Sequence, residues 1–128
     1  MATGKTAAGN IILPIEGGAQ KVTLTASETV ILGNSNAGKV SKWMIHAKVG
    51  GASPGSCIPK KRVRGSGLTG TDLIAPVYYK DTSSTEIASG TAITANDIYE
   101  VVVDGCDLAL VYTTGADGMI LYCIPVIG

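Results

Sequence analysis

Phenylalanine is absent from the chain, tryptophan occurs once and tyrosine five times, so aromatic rings make up only 5% of its residues. Aliphatic side chains must therefore fill most of any core, and a sugar site built on several stacked ring faces has little material. Charged residues are equally sparse, at 16% where roughly 25% is usual. Long apolar runs are missing as well. The longest, Met119 to Ile127, contains Pro125 and falls well short of the roughly 18 residues of a membrane-spanning helix, so no membrane partner is expected. The opening MATGKTAAGN has no apolar segment, so no secretory signal peptide is expected there. Intrinsic disorder is excluded, because it needs low hydrophobicity with high net charge. Here apolar residues are 45%, the net charge is zero and mean hydropathy is +0.31.

What is present points to one domain. A chain of 128 residues buries roughly two-thirds of its unfolded surface and needs neither disulfide nor metal to hold a core. Its 17 glycines are nearly twice the usual share. The surplus of apolar over charged residues in so small a body implies surface hidden against other subunits, hence a homo-oligomer. Charge is unevenly placed: residues 1–64 carry nine basic and two acidic side chains, and residues 65–128 carry one basic and eight acidic. Either the halves form two poles that dock plus to minus, or their strands interleave and the charges pair inside one domain. Direct nucleic-acid binding is not expected from a neutral chain.

Strands recur along the sequence. Residues 1–18 are expected to form an extended N-terminal arm, with Ile11, Ile12, Leu13 and Ile15 as its apolar docking residues; Pro14 suits a sheet edge or a neighbouring subunit. Residues 19–128 form the single folded domain. Val22 and Leu24 alternate with threonines, and Thr29 to Leu32 make another run. Val40 to Val49 alternates, with Trp43, Ile45, Ala47 and Val49 on one face and Met44, His46 and Lys48 on the other. Cys57 to Arg64 is a short basic strand, and Leu73 to Tyr79 another in which Pro76 marks an edge or bulge. Tyr78 and Tyr79 point to opposite faces, leaving one exposed. Asp97 to Val103, Asp104-Gly105 and Leu108 to Thr113 read as a hairpin, extended to a meander by Met119 to Val126. Thr94 to Tyr99 matches the turn ahead of a tyrosine corner. With no segment of helical period, the fold class is all-β: an antiparallel β-sandwich or jelly roll of about eight short strands.

Candidate chemistry is thin. GNSNAGKV (residues 33–40) nearly spells a phosphate-binding loop, but Val40 stands where the metal-ligating Ser or Thr belongs, and a strand follows where a helix is needed. PKKRVR (residues 59–64) gathers Lys60, Lys61, Arg62 and Arg64 into a basic patch. It reads as a charged edge that blocks sheet-to-sheet pairing, or as a site for an acidic partner surface. Cys57, Cys106 and Cys123 are odd in number, widely spaced and without a CxxC pair, which suits free thiols. Joined by His46 they match no zinc-ligand spacing, and Asp104, Asp107 and Asp117 are explained by turns without calcium. No catalytic residue, cofactor or metal is expected, and the chain is not read as an enzyme.

Three features carry a resemblance: the loose arm MATGKTAAGN, the stretch LTGTDLIAPVYYKDTSSTEIASGTAITANDIYEVVVDG, and the compact all-β ending. Together they resemble small virion proteins of tailed bacteriophages, of the head-decoration or capsid-associated type. That resemblance implies a structural protein, made in the host cytoplasm and incorporated in the virion, which decorates or stabilises a capsid by subunit contacts. Its partners would be copies of itself, often as a trimer, and the major capsid protein or another virion protein. The alternative is a carbohydrate-binding or host-attachment sandwich using Trp43 and a tyrosine as platform.

Overall fold

The computed structural model describes residues 4–5, 11–13, 20–32, 40–63, 66–67, 72–80 and 84–127, with backbone alone for the first two stretches. Its strands are β1 (Gly4–Lys5), β2 (Ile11–Leu13), β3 (Gln20–Leu24), β4 (Glu28–Leu32), β5 (Val40–Val49), β6 (Ser56–Arg62), β7 (Tyr78–Lys80), β8 (Thr85–Ile87), β9 (Asp97–Val102), β10 (Asp107–Thr113) and β11 (Met119–Ile127). They form two sheets, ordered β1-β2-β4-β10-β6 (sheet A) and β3-β11-β5-β9-β7-β8 (sheet B). All pairings are antiparallel except β2 against β4, which is parallel. The protein is an all-β sandwich, as the strand pattern predicts.

Period-two alternation decides which side chains meet between the sheets. Sheet A sends in Val30, Leu32, Leu108, Leu110, Tyr112 and Cys57, and sheet B sends in Leu24, Trp43, Ile45, Tyr78, Val101 and Leu121; all belong to one buried cluster. The long strand β5 follows its predicted phase: Trp43, Ile45 and Ala47 are buried while His46 and Lys48 are exposed. Sheet A is covered on its outer face as well, where Ile31 and Ala109 are fully buried and Leu73 packs with them. Sheet B has no such second cluster among the described residues.

The hairpin expected from Asp97 to Thr113 is not formed. β9 belongs to sheet B and β10 to sheet A. The turn itself is as Asp-Gly predicts: Asp104 and Gly105 both have positive φ (47° and 86°), and the Cys106 N–H bonds back to the Val103 carbonyl at 2.9 Å. However, the amides of Val103 and Asp104 donate to the Ser41 carbonyl and that of Gly105 to the Val40 carbonyl. These bonds hold the turn on β5, and the chain leaves it toward the opposite sheet. β10 and β11 likewise lie in different sheets, so the expected meander is replaced by arches from sheet to sheet. The strand expected from Leu73 to Tyr79 is reduced to Tyr78–Lys80. Ile74 instead makes a single bridge to Lys61 of β6, and Pro76 separates the two pieces.

The tyrosine corner is present. The Tyr99 hydroxyl donates to the Ala95 carbonyl at 3.2 Å, and its ring lies 5.9 Å from that of Tyr78. Pro59 sits in β6, an edge strand, where a missing amide is tolerated. Cys57 and Lys61, two residues to either side, turn their amides outward to Ile93 and Ile74. Alternation places Pro59 at the outward position between them, where β10 requires no donor from it.

Candidate functional site

Among the described residues, those singled out by sequence do not converge on a reactive centre. His46 is exposed on the outer face of sheet B, while Cys123, opposite Ile45, points inward and is buried. Cys57 is also buried and Cys106 half-buried, and all three thiols are free. Burial pushes the Cys57 thiol up to about 12, and it raises the Cys123 thiol further with help from nearby Cys57. Such thiols stay protonated and unreactive. Tyr78 is raised by burial and then by Tyr99 and Cys57. Among the described residues no group of three or more His, Cys, Asp or Glu could hold a metal. Asp107 and Asp117 have other work: Asp107 pairs with Arg62, and the Asp117 carboxylate accepts the Ser53 amide at 2.7 Å. No described helix is long and apolar enough to cross a membrane.

Of the basic patch, Arg62 is engaged inside the chain. Its Nε and Nη2 both donate to Asp107 Oδ2, at 3.2 and 2.9 Å, from directly opposite positions on β6 and β10. Lys60 and Lys61 are half-buried, and Arg64 lies outside the described residues. Of the arm, Ile11, Ile12 and Leu13 form β2, whose backbone pairs in parallel with Val30, Ile31 and Leu32 of β4. Ile15 and residues 33–39 of the GNSNAGKV segment lie outside the described residues, and Val40 opens β5.

Trp43 is 1% exposed and Tyr78 0%, so neither presents a ring face to a sugar; Tyr79 is half-buried. A groove of about 460 Å³ does run beside Tyr78 and Tyr99, rimmed by Lys80, Glu86, Thr85 and Thr91. The hydroxyl of Tyr78 donates to the Thr91 carbonyl at 2.6 Å and closes its floor.

The most distinctive surface is the outer face of sheet B, which sequence reasoning treated only as the polar side of β5. Register aligns its side chains in rows. Lys21, Tyr122, His46 and Ile98 stand side by side on β3, β11, β5 and β9. In the neighbouring row Ile124, Met44, Glu100, Tyr79 and Glu86 run from β11 to β8. Ile98, Tyr122 and Ile124 are 36%, 38% and 37% exposed. These are high values for large apolar groups in the middle of a sheet, and Ile120, Met44, Val102 and Val126 join them half-buried. Within the face Lys42 Nζ and Glu100 Oε1 form an ion pair at 2.6 Å. The signal was available in the alternation of MILYCIPVI: if Leu121 and Cys123 face the core, Tyr122 and Ile124 must face away. Compared with known protein families, with curated proteins and with solved structures, the chain matches none.

Proposed function

We propose that the chain is a structural protein of a bacteriophage virion, decorating or stabilising the capsid through contacts with copies of itself and with the major capsid protein or another virion protein. The observation that carries this reading is the apolar outer face of sheet B, in a chain with so few charged residues. A contiguous apolar patch of this kind marks a surface that works covered. The segment Ile11–Leu13 adds a second means of contact. It lies on β4 as an added strand, and exchange of this segment between copies would reproduce the same pairing across a subunit boundary.

Antibodies raised against the purified protein should label the surface of intact virions. Label found solely in the soluble fraction of an infected lysate would refute the proposal. Deleting residues 1–18 should abolish incorporation into particles while the sandwich stays folded, as read from the fluorescence of buried Trp43.

A second reading, a carbohydrate-binding or host-attachment module, draws on the groove beside Tyr78 and Tyr99, whose rim of threonines, Lys80 and Glu86 is suited to hydroxyl-rich ligands. Glycan-array hits lost in Glu86→Ala would favour it, and a blank array would remove it.

A further inference from the structure

Among the described residues, the outer edge of β3 is unpaired. Register shows which backbone groups it presents. The Gly50 amide donates to the Gly118 carbonyl at 2.9 Å, so Gly118 turns its backbone groups toward β5. Alternation then turns Met119, Leu121 and Cys123 toward β3, where they stand opposite Leu24, Val22 and Gln20. The N–H and C=O groups of Lys21 and Thr23 therefore point away from β11, and both residues are exposed. The remaining edges are closed or short. On β6 the outward amides of Cys57 and Lys61 are taken by Ile93 and Ile74, with Pro59 between them. β1 and β8 are two and three residues long. Among the described residues β3 has neither a proline nor a bridge of this kind.

The opposite sheet decides what kind of strand fits. Thr114, between β10 and β11, donates its hydroxyl to the Thr25 carbonyl and its amide to Ser27 Oγ, both in the turn between β3 and β4. The two crossovers thus lie side by side, with β4 over β3 and β10 over β11. Among the described strands, sheet A then continues past this edge by β2 and β1, while sheet B ends at β3. A strand added to β3 would lie beneath β2. Its residues beside Val22 and Leu24 would face the core, and those beside Lys21 and Thr23 would face water. Two whole copies cannot pair through this edge, because each β3 carries its own β4 above it and that β4 would fall on the other copy's β2. The fit is a lone extended segment with no sheet of its own above it.

We infer that the β3 edge is a strand-addition site, filled by an extended segment of a different virion protein that spans the five residues of β3 with apolar side chains at alternate positions. The inference rests on the reading of the chain as a structural subunit, and it names how an unlike partner is held. Backbone pairing to Lys21 and Thr23 supplies the attachment, and the apolar row beside Val22 and Leu24 fixes the register.

In the purified full chain, hydrogen exchange read by NMR should be at least about tenfold faster at the Lys21 and Thr23 amides than at those of Val22 and Leu24. Thr23→Pro removes an outward N–H that β11 does not use, so the variant should fold with Trp43 fluorescence unchanged. Its copies per virion should nonetheless fall at least about tenfold, because the added strand loses its ladder. Thr23→Ala keeps the backbone groups and should enter virions like the parent. Slow exchange at Lys21 and Thr23 in the purified chain would overturn the inference whether or not the proline variant folds. A purified oligomer that Thr23→Pro dissociates would put a second copy on this edge and overturn it too. Virions that hold the parent and the folded proline variant alike would refute the strand addition alone. Virions that lack even the parent would refute the proposed function, and the named partner falls with it.

Discussion

Replacing Asp107 with alanine should cost about 3–5 kcal/mol of folding free energy, the range for a buried ion pair that loses one member. The side chains of Arg62 and Asp107 are 11% and 4% exposed, and both guanidinium contacts fall on a single carboxylate oxygen. Two residues along β10, fully buried Ala109 closes the neighbouring position. Without Asp107 the guanidinium is left in a poorly solvated place with no acceptor. At an unfolding entropy of ~2.1 cal/mol/K per residue, 128 residues give ~270 cal/mol/K, so the loss lowers Tm by about 11–18 °C. Restoring a neutral filling in the double variant Arg62→Met with Asp107→Leu should bring stability back to within about 1.5 kcal/mol of the parent, because the pair's attraction mainly offsets its own desolvation.

Thermal and urea unfolding, followed by the fluorescence of the sole tryptophan, would measure both variants. Trp43 is 1% exposed and reports burial directly. The Asp107→Ala penalty should change little with added salt, since screening acts weakly on buried pairs. A penalty below about 1 kcal/mol would refute the reasoning. It would mean that Arg62 swings freely into water, and that the run from Lys60 to Arg64 is an open basic patch after all.

Three further outcomes are expected. In the folded protein a thiol reagent should modify Cys106 alone, and modify all three cysteines in denaturant; rapid native labelling of Cys57 or Cys123 would contradict their burial. Stability should be full below about pH 9 and fall above it. The folded state keeps on Cys57, raised from 9.0 to about 12, a proton that the unfolded chain releases, worth up to ~1.4 kcal/mol per pH unit per such thiol. A flat urea midpoint between pH 8 and pH 10.5 would exclude this. Gly115→Ala should cost about 1–3 kcal/mol, because its Cβ would stand 2.2 Å from the Gly55 nitrogen and 2.5 Å from the Ser53 carbonyl oxygen, forcing two backbone segments apart; an unchanged Tm would show that this contact is loose.

The strands were legible in sequence because burial on one face imposes a period of two, and β5 is the clearest case. Its expected span and phase both match, down to exposed His46 beside buried Ile45 and Ala47. β9, β10 and β11 also lie within a residue of their expected limits. What periodicity could not carry was which sheet each strand joins. Asp104-Gly105 makes the same tight turn in a hairpin and in an arch. The choice is made by long-range bonds to Val40 and Ser41, some 60 residues earlier in the chain. β8 escaped notice because Thr85–Ile87 is three residues long with a single partly buried side chain. The basic run was legible as an edge strand, but the partner of Arg62 was not, because Asp107 lies 45 residues away and meets it only through register.

The opposed charges of the two halves find their resolution in the same topology. Strands from residues 1–64 alternate in space with strands from residues 65–128: β10 lies between β4 and β6, and β11 and β9 flank β5. Lys42–Glu100 and Arg62–Asp107 each join one half to the other. Among the described residues the basic and the acidic strands are therefore interleaved within one domain, and the halves do not form two poles. Long-range steering between copies loses its source, while Lys21, Lys48 and Glu86 stand at the rim of an apolar face. Self-association on this basis should weaken only shallowly with salt, since a few rim charges are screened and the apolar centre is not. A complex that dissociates steeply in salt would instead require a bipolar subunit, which interleaved strands do not build.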